Sequence, residues 1–291
     1  MEILRQIDLA ELVRRALAED VGQGDLTTAA TVGPNQAGRA RITVKEPDGI
    51  IFCGGMMIEQ AFAMTASEPR MTLLAAEGQR LERGAVAAEI EGRLAGLLTG
   101  ERVALNFVQL MSGIATATRR YVDAVAGTRA RIVDTRKTHP GLRAIEKYAV
   151  RIGGANNHRF GLDSGVLIKD NHIAAAGSIR IALERARRLA PHTFRVEIEC
   201  ETLAQVEEAL KHGATAILLD NMDVATMSRA REIAGDAILL EASGGVTLDS
   251  VRAIAAAGVD LISVGALTHS VKAVDLSMRI EQIDREAARD A

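Results

Sequence analysis

Arg195-Val196-Glu197-Ile198-Glu199, Ala216-Ile217-Leu218-Leu219-Asp220, Ala237-Ile238-Leu239-Leu240-Glu241 and Leu261-Ile262-Ser263-Val264 are short apolar runs that begin 21, 21 and 24 residues apart. Stretches with helical spacing separate them. Such βα repetition builds a parallel sheet, either closed as a barrel or open and doubly wound. Two earlier runs, 132–137 and 165–169, extend the series. No Gly-x-Gly-x-x-Gly turn follows a first strand, which makes a dinucleotide-binding sheet the weaker choice.

Upstream the pattern is different. Asp8-Leu9-Ala10-Glu11 reads as a capped helix start, with Leu9, Leu12, Val13, Ala16 and Leu17 at helical spacing behind it. Between Gly38 and Lys45, Ala40, Ile42 and Val44 alternate with Arg39, Arg41, Thr43 and Lys45, the pattern of a strand with one buried and one wet face. Further strand-like runs are expected near 50–53, 71–76, 84–90 and 93–98. A long proline-free helix is expected over 102–126, carrying Val103, Leu105, Val108, Leu110, Met111 and Ile114. The first hundred residues thus read as a small sheet with one or two helices, and a domain boundary belongs near the long helix.

The 291 residues, 48% hydrophobic and 25% charged, have ordinary globular composition and suffice for one large or two ordinary domains. No apolar run approaches the roughly 18 residues that would span a bilayer. Residues 1–15 lack the basic start, apolar middle and small-residue cleavage site of a secretory signal, so a cytoplasmic protein is expected. Cys53 and Cys200 are the only thiols, too few for a disulfide framework or a cysteine zinc site.

Net charge is −3, yet 129–172 holds nine Lys/Arg against four acids and three of the six His. A nucleic-acid groove interleaves such charge with aromatics. Here there are only Tyr148 and Phe160, so a small polyanion is the better ligand and neither nucleic acid nor membrane is expected as a partner. Position strengthens this reading. The apolar runs end in Arg136-Lys137, Lys169-Asp170, Glu199, Asp220-Asn221 and Glu241-Ala242-Ser243-Gly244-Gly245, and in a barrel such carboxyl ends face the active-site mouth. In 196–200 the period of two points Glu197 and Glu199 the same way. The turns Ser243-Gly244-Gly245 and Gly265-Ala266 follow late strands, where backbone N–H groups often hold a phosphate. A phosphosugar diphosphate with Mg²⁺ would suit such a cavity.

Asp134-Thr135-Arg136-Lys137-Thr138, Gly153 to Arg159, Leu167 to His172, Leu219 to Met222 and Glu241 to Gly245 together resemble the quinolinate phosphoribosyltransferase family, the carboxylating nicotinate-nucleotide pyrophosphorylases. Gly24-Asp25-Leu26-Thr27-Thr28 and Gly100-Glu101-Arg102 fit the same order, and the resemblance covers about residues 9–280. It implies a mixed α/β fold: an N-terminal α/β sandwich over 1–105, a parallel α/β barrel over 106–270 that is an incomplete TIM-like barrel, and a C-terminal helix in 271–291 returning to the N-terminal domain. It also implies a homodimer and a Mg²⁺-dependent transfer of phosphoribosyl from phosphoribosyl diphosphate to quinolinate, with loss of CO₂, in NAD biosynthesis.

Carried over by motif, Arg136, His158, Arg159 and Lys169 would hold the dicarboxylate, with Arg102 reaching in from a partner subunit and Thr135 beside them. Lys137 would hold the leaving pyrophosphate. Glu199 and Asp220 would serve the ribose hydroxyls and, with substrate and water, the metal. Ser243, Gly244, Gly245, Gly265 and Ala266 would bind phosphate, and Lys137, Lys169, Glu199 and Asp220 would carry the catalysis. Glu197, Glu241 and His269 are left as either supporting or structural groups. Rival readings are a molybdenum-transport-associated relative on the same barrel, a Schiff-base lyase using Lys137 or Lys169, and a binding protein that has kept the fold.

Overall fold

The computed structural model describes residues 8–65 and 68–283. In chain order these form α1 (Leu9–Val21), α2 (Leu26–Thr31), β1 (Ala37–Val44), β2 (Ile50–Ile51), α3 (Gly55–Ala63), β3 (Arg70–Leu73), β4 (Arg80–Leu81), β5 (Val86–Arg93) and α4 (Leu94–Ala124). Then come β6 (Arg131–Val133), α5 (Arg143–Ile152), β7 (Val166–Ile168), α6 (Asp170–Ala176), α7 (Ile179–Leu189), β8 (Val196–Cys200), α8 (Leu203–Lys211) and β9 (Ala216–Asp220). The series ends with α9 (Val224–Ala234), β10 (Leu239–Ser243), α10 (Leu248–Ala256), β11 (Leu261–Ser263), α11 (Ala266–His269) and β12 (Leu276–Ile283). None of these helices is long and apolar enough to cross a membrane.

The chain separates into two compact units. One takes in the described residues through Ala117, Gly141–Gly153 and those from Val271 onward; the other takes in Thr118–Pro140 and Gly154–Ser270.

The first unit is built on an antiparallel sheet in the order β12-β1-β5-β3. The alternation in β1 does what it promised: Ala40, Ile42 and Val44 are fully buried. On the wet face Arg39 and Arg41 stand directly opposite Glu91 and Glu89, with Nε to Oε1 distances of 2.7 and 2.6 Å. Opposite charges facing each other across a strand pair favour this register. At the start of α1, Asp8 Oδ1 accepts the backbone N–H of Glu11 at 3.1 Å, and the helix buries Val13 and Leu17.

Two expectations need correction. The strand expected over 93–98 is the opening turn of α4, which starts at Leu94 rather than near 102. Short apolar runs fit either element, and here the burial of Leu94 and Leu97 on the helix side decides. Secondly, 271–291 was expected to hold a helix, but Leu276–Ile283 is a strand paired antiparallel with β1. Leu276 and Met278 are buried while Arg279 is exposed, a period of two. Residues 284–291 lie outside the described residues. The two units divide at 117/118, and α5 goes with the first. Side chains of α4 tie its first part to that unit, because Ser112 Oγ bonds Cys53 N and O at 3.0 Å and Thr116 Oγ1 accepts from Ile51 N at 2.8 Å. From α5, Tyr148 Oη donates to Glu77 Oε2 at 3.2 Å.

The second unit is a six-stranded parallel sheet in the order β6-β11-β10-β9-β8-β7, its connections supplied by helices. All six strands lie within a few residues of where the sequence placed them. Beyond β6 the pairing ends in a single parallel bridge, Val133 with Asn156. Flat, the outermost strands would lie about 24 Å apart. Yet Arg136 and Lys137, after β6, line the same pocket as Lys169, after β7. The sheet therefore curls into an incomplete barrel whose carboxyl ends face one pocket.

Candidate active site

That pocket has a volume of about 390 Å³. Arg136 and Lys137 enter from the segment after β6, His158 and Arg159 from the loop before β7, and Lys169 from the end of β7. Asp220 closes β9, while Glu241 and the Ser243-Gly244-Gly245 turn come from β10. Cations dominate one wall. Burial first, and the neighbouring Arg136 second, lower the pKa of Arg159, so both disfavour its charged form; Glu197 acts the other way. Arg159 Nη1 also donates to Gly165 O at 3.0 Å, and a further anion between the two guanidinium groups would lessen their repulsion.

Beneath this wall the loop is fixed by Asp134, which is fully buried. Its Oδ1 accepts the backbone N–H of His158 at 2.8 Å and its Oδ2 the side-chain N–H of Asn157 at 2.6 Å. His158 Nδ1 accepts from Arg159 N at 2.8 Å, which leaves Nε2 to carry the proton of a neutral ring. Nε2 faces Glu197 Oε2 at 3.4 Å and Glu241 Oε1 at 3.8 Å. Glu199, two residues beyond Glu197 on the same strand face, takes Lys169 Nζ on its Oε2 and is only 7% exposed.

The Ser243-Gly244-Gly245 turn rests on close packing. Gly244 has φ +99°, and a Cβ there would lie 2.1 Å from Asn221 Oδ1. Asn221 itself is left-handed at φ +54°; its backbone N–H donates to Ser243 O at 2.9 Å and its Nδ2 to Asp220 Oδ2 at 2.7 Å. The Asp220-Asn221 and Ser243-Gly244-Gly245 motifs are thus one unit. Across the pocket, Thr268 Oγ1 donates to Lys137 O at 2.7 Å, and a Cβ on Gly265 would sit 3.2 Å from Lys137 Cδ and 3.0 Å from His269 Nε2.

Most of the residues singled out from the sequence therefore meet in one place: Thr135, Arg136, Lys137, His158, Arg159, Lys169, Asp220, Ser243, Gly244 and Gly245 line the pocket. Gly265 lies beside the Lys137 side chain, neither it nor Ala266 is in the lining, and Glu199 is reached through Lys169. Arg102 is exposed on α4 in the first unit. The sequence assigned no role to Asp134, Asn221, Leu167, Leu218 or Ser263. Of these only Asn221 carried a signal, since Asn is among the few residues that tolerate left-handed backbone.

Comparison with known proteins fits this geometry. Residues 25–112 match the family model for the N-terminal domain of quinolinate phosphoribosyl transferase, and residues 114–279 match that for its C-terminal domain. The chain belongs to the quinolinate phosphoribosyltransferase family. It is 44% identical over 277 residues to a probable nicotinate-nucleotide pyrophosphorylase [carboxylating] of Bacillus subtilis, covering 95% of each chain. The corresponding protein of Mycobacterium leprae is 43% identical over 274 residues, covering 92% of this chain and 95% of that one. Among solved structures, the nicotinate-nucleotide pyrophosphorylase from Francisella tularensis superposes with a TM-score of 0.89 at 37% identity, covering 94% of this chain and 96% of that one. The one from Ehrlichia chaffeensis gives 0.89 at 39%, with 94% and 99% covered.

Proposed function

We propose that this chain transfers phosphoribosyl from phosphoribosyl diphosphate to quinolinate with loss of CO₂, forming nicotinate mononucleotide and pyrophosphate. The observation that carries this reading is the single pocket in which Arg136, His158, Arg159 and Lys169 stand across from Asp220 and the Ser243-Gly244-Gly245 turn. Two adjacent carboxylates on a flat ring suit the planar forks of two arginines. A substrate dianion would also relieve the repulsion that Arg159 feels from Arg136.

Backbone N–H groups of the Gly244-Gly245 turn are suited to the 5′-phosphate. Lys137, exposed at the pocket rim with its stem near Gly265, would hold the leaving pyrophosphate. As the bond from the ribose to pyrophosphate breaks, positive charge grows on the sugar, and carboxylates already fixed nearby stabilise it without reorganising. Asp220 and Glu199, on adjacent strands, are the carboxylates for this task. The donor chemistry fits Mg²⁺, because both are hard oxygen ligands and Asp220 lines the pocket. Bound there mainly through substrate oxygens and water, Mg²⁺ would offset charge on the departing diphosphate. Arg102, exposed on α4, is the arginine that a second copy in a homodimer would contribute.

The test is a mass-spectrometric product assay with quinolinate or nicotinate, phosphoribosyl diphosphate, and either Mg²⁺ or EDTA. Nicotinate mononucleotide from quinolinate alone, and only with Mg²⁺, is the expected result. Equal product from nicotinate, or none from folded protein, overturns the reading.

A further inference from the structure

The reaction consumes a proton. When CO₂ leaves, the electron pair of the broken bond stays on C2 of the N-ribosylated ring, and the product carries hydrogen there. Several groups of the pocket are otherwise engaged. Lys169 Nζ is held by Glu199, and His158 has Nδ1 on Arg159 N and Nε2 toward Glu197. Lys137 stands exposed at the rim.

Glu241 is different. It lines the pocket yet is only 1% exposed, and among the described residues its Oε1 has no hydrogen-bond partner. An oxygen of Glu241, an oxygen of Glu197 and a ring nitrogen of His158 all lie within 4.8 Å of one another. Two carboxylates this close in a buried place repel each other, which favours a proton on one of them. Burial first, then Glu197, pushes the Glu241 carboxyl up to about 8; Asp134 adds to this, while His158 and Ser263 oppose it.

Glu241 also borders a second cavity of about 210 Å³. Val166, Ala216, Leu239 and Leu261, each the first residue of its strand, line it together with Val133 at the end of β6, so it runs from the amino ends of the sheet up to Glu241. Arg195, Arg159, Glu197 and His158 are the charged or titratable groups around it.

We propose, building on the quinolinate reading, that Glu241 delivers the proton to C2 and that the cavity beneath it is the route by which that proton is replaced. The bond from C2 to its carboxylate breaks and CO₂ departs. A C2–H bond forms with the Glu241 proton, and the Glu241 carboxylate takes a new proton from bulk solvent by way of the lower cavity, the one proton that the reaction consumes. No oxidant or further reactant is needed. Before that step the neutral acid does not repel the substrate carboxylates, as an ionised Glu241 would.

The test is Glu241→Gln, which keeps the shape and removes the acidic proton, with Glu241→Asp as a second variant that keeps the acid on a shorter arm. Pyrophosphate release and nicotinate mononucleotide formation are followed separately in single turnovers from pH 6 to 10. In Glu241→Gln, pyrophosphate release within about threefold of the parent and product formation slowed about 10²-fold or more support the proposal. So does loss in that variant of an alkaline fall in product formation that the parent shows near pH 8. In Glu241→Asp, a slowing confined to product formation supports it too. Product formation by Glu241→Gln at the parent rate, or equal slowing of both steps in both variants, overturns it. Failure of the quinolinate reading looks different, because the parent itself would then release no pyrophosphate with quinolinate.

Discussion

Replacing Gly244 by Ala tests whether the Ser243-Gly244-Gly245 turn is built on the close contact with Asn221. Gly244 has φ +99°, where an alanine costs about 1–2 kcal/mol of strain, offset by about 0.4–1 kcal/mol from the stiffer unfolded chain. A new Cβ would also lie 2.1 Å from Asn221 Oδ1 and 3.0 Å from Asn221 N. The side chain can swing away only by giving up its bond to Asp220, and the backbone N–H is tied to Ser243 O. Overpacking of this kind costs about 1–3 kcal/mol more, so the expected loss is about 2–4 kcal/mol. Gly245 is the internal control: its φ is +58°, with nothing within 4 Å of the added Cβ, so Gly245→Ala should cost about 1 kcal/mol or less. In thermal unfolding at about 2–4 °C per kcal/mol, Gly244→Ala should lower Tm by about 4–16 °C and Gly245→Ala by no more than about 2–4 °C. Equal drops, or a Gly244→Ala value within about 2 °C of the parent, would refute the packing argument.

Other changes separate binding from chemistry and from folding. Lys137→Ala, at an exposed position, should leave Tm unchanged and lower kcat about 10²–10³-fold in steady-state assays; near-normal turnover would remove Lys137 from the catalytic set. Arg159→Lys keeps the charge but loses the planar fork, so KM for quinolinate should rise about tenfold or more while KM for phosphoribosyl diphosphate holds. Asp25→Ala removes the cap that accepts Thr28 N at 3.0 Å and should cost about 1 kcal/mol in denaturant titrations near neutral pH. The hydrogen bonds from Thr28 hold the Asp25 carboxyl below its usual range. The difference between parent and variant should therefore be complete above about pH 5 and shrink as pH falls through the folded-state pKa. A difference that grows on acidification would contradict the capping role.

Local pattern alone determined much of this protein. The six βα runs, the wet and dry faces of β1, the cap at Asp8 and the shared face of Glu197 and Glu199 follow from periods of two and of 3.6, which need only neighbours in sequence. So did the charged strand ends, because a parallel barrel places the ends of all its strands together. What local pattern could not decide was where equivalent readings compete. Leu94 to Leu98 fits strand or helix until burial selects, and Leu276–Ile283 becomes a strand because β1 offers it an edge. The contact of Gly244 with Asn221, the hold of Glu199 on Lys169 and the meeting of His158, Glu197 and Glu241 join residues tens of positions apart. Each depends on how far the sheet curls, a sum over all its strands that no single segment encodes. Burial, which decides which of two close carboxyls keeps a proton, is likewise a property of the folded whole.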